Sequence, residues 1–128
     1  MNPFGISEKS YNLLVNAFSK YPEVEEVLIF GSRAKGNYKR GSDIDLAIKG
    51  KRCNDLTAIN IQGYFNEELP IPYYVDVVYY DELEHQELKE HIDRVGINFF
   101  ESKLPHVINE PPAKYKTKPK SSDQGMDS

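Results

Sequence analysis

Two apolar stretches of this chain carry acids where a strand should have none, and they constrain the fold more than any other feature. Asp43-Ile44-Asp45-Leu46-Ala47-Ile48-Lys49 alternates. As a strand it puts Asp43, Asp45 and Ala47 on one face and Ile44, Leu46 and Ile48 on the other. Asp76 interrupts Tyr73-Tyr74-Val75-Asp76-Val77-Val78-Tyr79-Tyr80, where nothing in local propensity favours an acid. Two strand acids at i and i+2 lie about 6.6 Å apart on one face. Like charges that close are unfavourable unless something positive sits between them. For an isolated D-x-D, a solvated strand face is the commoner reading. A third acid changes the balance: if its strand pairs beside the first, Asp76 converges on Asp43 and Asp45. Three carboxylates with phosphate oxygens and water make a hard, oxygen-only set suited to Mg²⁺.

The elements around these strands follow from periodicity and caps. Ser7 is a plausible N-cap for a first helix whose buried face is Tyr11, Leu14, Val15, Phe18 and Tyr21, ending at Pro22. Val24 to Phe30 reads as the first strand and Asp43 to about Lys49 as the second. Asn54 or Asp55 caps a helix to about Leu69, carried by Leu56, Ile59, Ile61, Phe65 and Leu69. Tyr73 to Tyr80 is the third strand. Asp81-Glu82-Leu83-Glu84 reads as a capping box for a last helix with Leu83, Leu88, Ile92, Val95 and Phe99 at helical spacing. The order predicts an α/β (α+β-like) fold: a small mixed three-stranded sheet flanked by helices. One domain is expected over residues 1–103, followed by a Pro- and Lys-rich tail at 104–128, read as disordered, its start docking through Leu104, Val107 and Ile108.

Between the first two strands lies Gly31-Ser32 and then ten residues before Asp43. A glycine directly after a buried strand lets a phosphate approach the backbone, and Ser32 adds a hydroxyl and an N–H. If residues 33–36 start a short helix, its first amides face the anion too. Arg33 is the basic residue best placed for a triphosphate, by charge and bidentate geometry. Lys35, Lys39 and Arg40 read as loop-solubilising. Seven basic residues fall between Arg33 and Arg52, against two acids, which suits a local funnel for a small polyanion. The net charge of −4 argues against a general nucleic-acid binder. Neither a P-loop nor a G-x-G-x-x-G fingerprint is present. Cys53 is the only cysteine, which excludes an intrachain disulfide and suits a reducing cytoplasm. No run approaches the about 20 apolar residues of a membrane span. His85, His91 and His106 show no ligand spacing with the acids and are read as surface residues. The tyrosines on and beside the third strand are read as packing.

Phe30-Gly31-Ser32-Arg33-Ala34-Lys35-Gly36, then Ser42-Asp43-Ile44-Asp45-Leu46-Ala47, then Asp76 among apolar residues, together resemble the minimal nucleotidyltransferases (MNT proteins) of the DNA polymerase β-like superfamily. The resemblance covers roughly residues 7 to 101. It implies a nucleotidyltransferase fold in which Gly31 and Ser32 hold the β- and γ-phosphates of ATP, and Asp43 and Asp45 bind two Mg²⁺ ions. Asp76 would complete the metal that activates the attacking hydroxyl and take its proton. Many small MNT proteins are antitoxins that transfer AMP from ATP to a tyrosine of a HEPN-domain toxin encoded beside them, releasing pyrophosphate. The resemblance implies that activity here, with a HEPN partner and a hetero-oligomer. Two alternatives stay open: transfer to a small molecule such as an aminoglycoside, and a non-catalytic module that neutralises its partner by docking.

Overall fold

The computed structural model describes residues 2–102. The expected tail at 104–128, with Leu104, Val107, Ile108 and His106, lies outside the described residues. In chain order the elements are α1 (Glu8–Phe18), β1 (Glu26–Phe30), α2 (Gly31–Lys35), β2 (Ile44–Lys49), α3 (Asp55–Glu68), β3 (Val75–Tyr79), a 3-10 turn (Tyr80–Glu82), α4 (Gln86–Val95) and β4 (Ile97–Glu101). The sheet has four strands in the order β3-β2-β1-β4. β1 pairs antiparallel with both β2 and β4, whereas β2 and β3 run parallel, joined by the α3 crossover.

Strand alternation divides the interior into two layers. Val27, Ile29, Ile44, Leu46, Ile48, Val75 and Val77 face one side, where α1 and α3 cover them with Leu14, Phe18, Ile61 and Phe65. Phe18 and Phe65 meet edge to face at 4.9 Å. Each such fully buried side chain contributes about 1.5–3 kcal/mol. Leu28, Phe30, Ala47 and Val78 face the other side, where Ile92, Leu88 and Val95 of α4 close a smaller cluster.

The caps explain where helices begin. Ser7 accepts from the Ser10 amide at 3.2 Å, as the sequence suggested. Asn54, rather than Asp55, caps α3, exchanging hydrogen bonds with Thr57 in a capping box. Leu56 and Ile59, expected on the buried face of α3, point outward at 60% and 63% exposure; Ala58, Ile61 and Phe65 are buried instead. α1 ends at Phe18, before Pro22, in tight turns in which Lys20 and Tyr21 donate to Ala17 and Phe18 carbonyls. Asp81–Glu84 is no capping box: Tyr80–Glu82 forms the 3-10 turn, and α4 starts after His85 without a side-chain cap.

The fourth strand corrects the expected three. Phe99 falls four residues after Val95 and so continues the helical spacing, but Gly96 ends α4. Gly96 caps the helix with an extended ψ of 138°, and the chain runs back along β1; a Cβ there would lie 2.5 Å from the Ile92 carbonyl oxygen, so the tight exit requires glycine. The β1–β4 register shifts between Val27 and Leu28, which pair with Phe100 and Asn98. This bulge at Phe99 breaks the strict alternation and lets both Phe99 and Phe100 reach the α1 side.

Candidate active site

The acids sit at one end of the sheet. β1 finishes at Phe30, which lies opposite Asp45 of β2, and Asp45 lies opposite Asp76 of β3. Phe30, Asp45 and Asp76 therefore form a row across three strands. Asp45 shares its face with Ala47, and Asp76 with Val78, which places the acids on the α4 side of the sheet. Asp43 lies just before β2 and is exposed, whereas Asp45 and Asp76 are half-buried.

Gly31 has φ +73°, and a Cβ built there would lie 2.3 Å from Oδ2 of Asp45. The Asp45 carboxylate thus rests directly on the backbone of the Gly-Ser turn, which only glycine permits. Ser32 follows, half-buried in α2, a short helix that begins at Gly31 rather than at 33.

Crowding leaves an electrostatic mark. The Asp45 carboxyl is pushed up to about 6, mainly by burial, then by the nearby Asp76 and Asp43 charges; Arg33 pulls the other way. The site is therefore short of positive charge. Among the described residues, no group of three or more His, Cys, Asp or Glu side chains stands ready-made around a metal position. Mg²⁺ does not require one, since it commonly binds through one or two carboxylates, waters and substrate phosphates. As a donor set, Asp43, Asp45 and Asp76 fit such an ion: all oxygen, mutually repelling, and open to solvent through Asp43.

Arg33 does not join them as expected. It is 2% exposed. Its Nε and Nη2 donate to the Ser42 carbonyl at 3.1 and 2.8 Å, and its Nη1 donates to the carbonyls of Phe4 and Gly5 at 2.9 and 3.3 Å. The fork that suits a triphosphate is occupied by main chain. Nor do all seven basic residues form one funnel. Lys35, Lys39 and Arg40 are exposed, but Lys49 lies over the Tyr80 ring at the far end of β2 and Arg52 donates to the Pro22 carbonyl.

Two residues that the sequence reading passed over hold the strand bearing Asp76. β3 is a sheet edge, and its outer amides would be unpaired. Asn66 Oδ1 accepts from the Val75 amide and Asn66 Nδ2 donates to the Val75 carbonyl, both at 2.8 Å; Gln62 Oε1 accepts from the Val77 amide at 2.8 Å. Both neighbours of Asp76 are therefore fixed from α3. Nothing in their spacing marks them: Gln62 simply follows the buried Ile61 and Asn66 the buried Phe65. His91, read as a surface residue, is half-buried, with its ring 6.0 Å from Phe30 and edge-on. Tyr73, Tyr79 and Tyr80 pack as expected, with their hydroxyls engaging Ser7, Gly50 and Asp93, whereas Tyr74 is 51% exposed and its hydroxyl accepts from Gln62. A separate apolar groove of about 560 Å³, lined by Tyr11, Phe18 and Phe100 among others, contains none of these acids.

A four-stranded mixed sheet with a glycine turn abutting paired strand acids defines a nucleotidyltransferase domain. The chain belongs to the Polymerase beta nucleotidyltransferase family, whose model matches residues 12–104. No curated protein sequence matches it significantly. Among solved structures it is similar to a toxin–antitoxin bound to AMP-PNP, with a TM-score of 0.58 and 19% identity, covering 77% of this chain and 76% of the other. It is also similar to a complex of a tri-AMPylated Shewanella oneidensis HEPN toxin with its MNT antitoxin, with a TM-score of 0.50 and 17% identity, covering 73% and 74%. A candidate nucleotidyltransferase from Sulfolobus solfataricus matches with a TM-score of 0.50 and 28% identity, covering 78% and 85%. Among the described residues no helix is long and apolar enough to cross a membrane.

Proposed function

We propose that this nucleotidyltransferase is an antitoxin that transfers AMP from ATP to a tyrosine of a HEPN-domain partner in the cytoplasm. The observation that carries the chemistry is the row Phe30–Asp45–Asp76, with the Asp45 carboxylate lying on Gly31. It puts a backbone turn suited to phosphate directly beside paired acids. The partner is supported by the likeness to toxin–antitoxin structures, one of which holds a nucleotide analogue and another an AMPylated HEPN toxin.

Gly31 and Ser32 would receive the β- and γ-phosphates, and Asp43, Asp45 and Asp76 would hold Mg²⁺. When bound, the metal supplies charge stabilisation for the attacking and leaving oxygens. In the transfer, the tyrosine oxygen forms a bond to the α-phosphorus while the bond from that phosphorus to the bridging oxygen breaks. Pyrophosphate departs with that electron pair, and Asp76 accepts the tyrosine proton.

The test is incubation of the full chain with labelled ATP, Mg²⁺ and the product of the adjacent gene. Label is expected on a partner tyrosine. Asp43→Ala and Asp45→Ala are expected to abolish labelling while leaving the circular dichroism spectrum intact. Undiminished labelling by the double variant would remove the metal assignment. A wild-type chain that binds its partner tightly but labels nothing would favour neutralisation by docking.

A further inference from the structure

We propose that Arg33 is a positioning residue: its buried guanidinium clasps the peptide before Asp43 to the phosphate turn and so sets the geometry of the acids. The inference rests on the nucleotidyl-transfer reading of the site. Arg33 follows Gly31-Ser32 directly in α2, so its backbone belongs to the turn suited to phosphate. Its side chain runs to the other half of the motif, where two guanidinium nitrogens converge on the Ser42 carbonyl, one residue before Asp43. The third nitrogen gathers the Phe4 and Gly5 carbonyls from the N-terminal segment. That segment is folded for the purpose: Asn2 Oδ1 accepts from the Phe4 and Ile6 amides, and Asn2 Nδ2 donates to the Ile6 carbonyl. The guanidinium also lies 5.2 Å from the Tyr38 ring centroid and 4.9 Å from that of Tyr73.

These contacts use the planar fork for several hydrogen bonds at once and set its charge over two aromatic rings, as arginine suits and lysine does not. None of its hydrogen-bond partners is a carboxylate, so the charge is spent on three main-chain carbonyls and two rings. An apolar side chain of similar volume would leave these carbonyls without the guanidinium donors, so the arginine holds them as well as filling space. A fixed cation is needed where a particular carbonyl must be held, and the Ser42 carbonyl is the last one before the acids begin.

The test compares wild type, Arg33→Lys, Arg33→Met and Asn2→Ala as full chains, well below their melting temperatures. For both Arg33 variants, kcat is expected to fall about 100-fold, the effect of a misplacement near 1 Å. The Mg²⁺ concentration for half-maximal rate is expected to rise, and KM for ATP to stay near its wild-type value. Hydrogen exchange at the Asp43 and Ile44 amides is expected to accelerate. Asn2→Ala, which loosens the clasp from its far side, is expected to show smaller changes in the same direction and serves if the Arg33 variants fail to fold. A raised KM with intact kcat would mean that Arg33 touches the nucleotide, and would overturn the proposal. Lowered melting temperature with unchanged kcat and exchange would overturn it in favour of stability alone. If wild type transfers no nucleotide to any acceptor, the reading of the site fails, and the exchange comparison still decides whether the clasp exists.

Discussion

Asp45 and Asp76 stand directly opposite each other across the parallel β2–β3 pair, one strand over from the end of β1. Two half-buried acids in register are a local instability built into an otherwise apolar sheet, and the instability has a pH signature. Asp45 titrates near 3.8 in the unfolded chain and near 6 in the folded one. Between those values the folded chain holds more protons, so this group's contribution to stability falls as pH rises from about 4 through about 6. A salt-bridged aspartate would do the opposite. Asp45→Asn is therefore expected to melt higher than wild type above pH 7, on the order of a few degrees. The gap is expected to close near pH 4. Melting curves from pH 4 to 8 check it, and identical melting of the two chains throughout would reject the crowding.

The same shortage of positive charge makes a cation stabilising. At pH 7.5, millimolar Mg²⁺ with a non-hydrolysable ATP analogue is expected to raise the melting temperature of wild type. A ligand at one hundred times its Kd adds about 2.7 kcal/mol to the folded state. The increment is expected to vanish in an Asp45→Asn/Asp76→Asn double variant, even though that variant starts from a higher melting temperature. A thermal-shift titration reads both effects, and equal increments in the two chains would place the cation elsewhere.

What could be read from the sequence follows from how local each determinant is. The acid pair, the apolar run around Asp76 and the Gly31 turn are fixed by spacing along single strands, and the structure puts Asp45, Asp76 and Gly31 together. Arg33 misled because its charge is visible in the sequence while its partners are not: the Ser42, Phe4 and Gly5 carbonyls reach it only once the chain has folded. Phe99 misled because its spacing from Val95 suits a helix, and the bulge that brings Phe99 and Phe100 to the same side is set by pairing with β1. Gln62 and Asn66 had no local signature at all, since an edge amide in need of a partner exists only after the sheet order is set.

Gly31 offers a direct measure of how tightly the turn and the acids are fitted. Gly31→Ala must place a Cβ where Oδ2 of Asp45 now lies, at a backbone φ of +73°. The left-handed conformation alone costs about 1–2 kcal/mol. Displacing Asp45 adds to that and is expected to lower transfer at least about 100-fold. A double-mutant cycle with Asp45→Ala separates the two contributions: in that background the stability loss is expected to shrink to the backbone cost. Urea denaturation supplies the numbers, and additive losses would show that the carboxylate is free to move aside.

Asp76 depends on a helix that it does not touch through its own backbone. Asn66 supplies both an acceptor and a donor to Val75, and Gln62 an acceptor to Val77, so the peptides on either side of Asp76 are held by side-chain amides. Asn66→Ala leaves the Val75 N–H and C=O without these partners, which is expected to cost about 1–3 kcal/mol. Asn66→Asp keeps an acceptor for the N–H but sets a carboxylate against the Val75 carbonyl, one residue from Asp76, and is expected to be the more damaging of the two above pH 6. Leu56→Ala, on the same helix but 60% exposed, is the control and is expected to change stability by less than about 0.5 kcal/mol. Hydrogen exchange at Val75 and Val77 locates the effect. Faster exchange there with slower transfer is the expected result for Asn66→Ala. Unchanged exchange would mean that β3, and Asp76 with it, is held by its pairing to β2 alone.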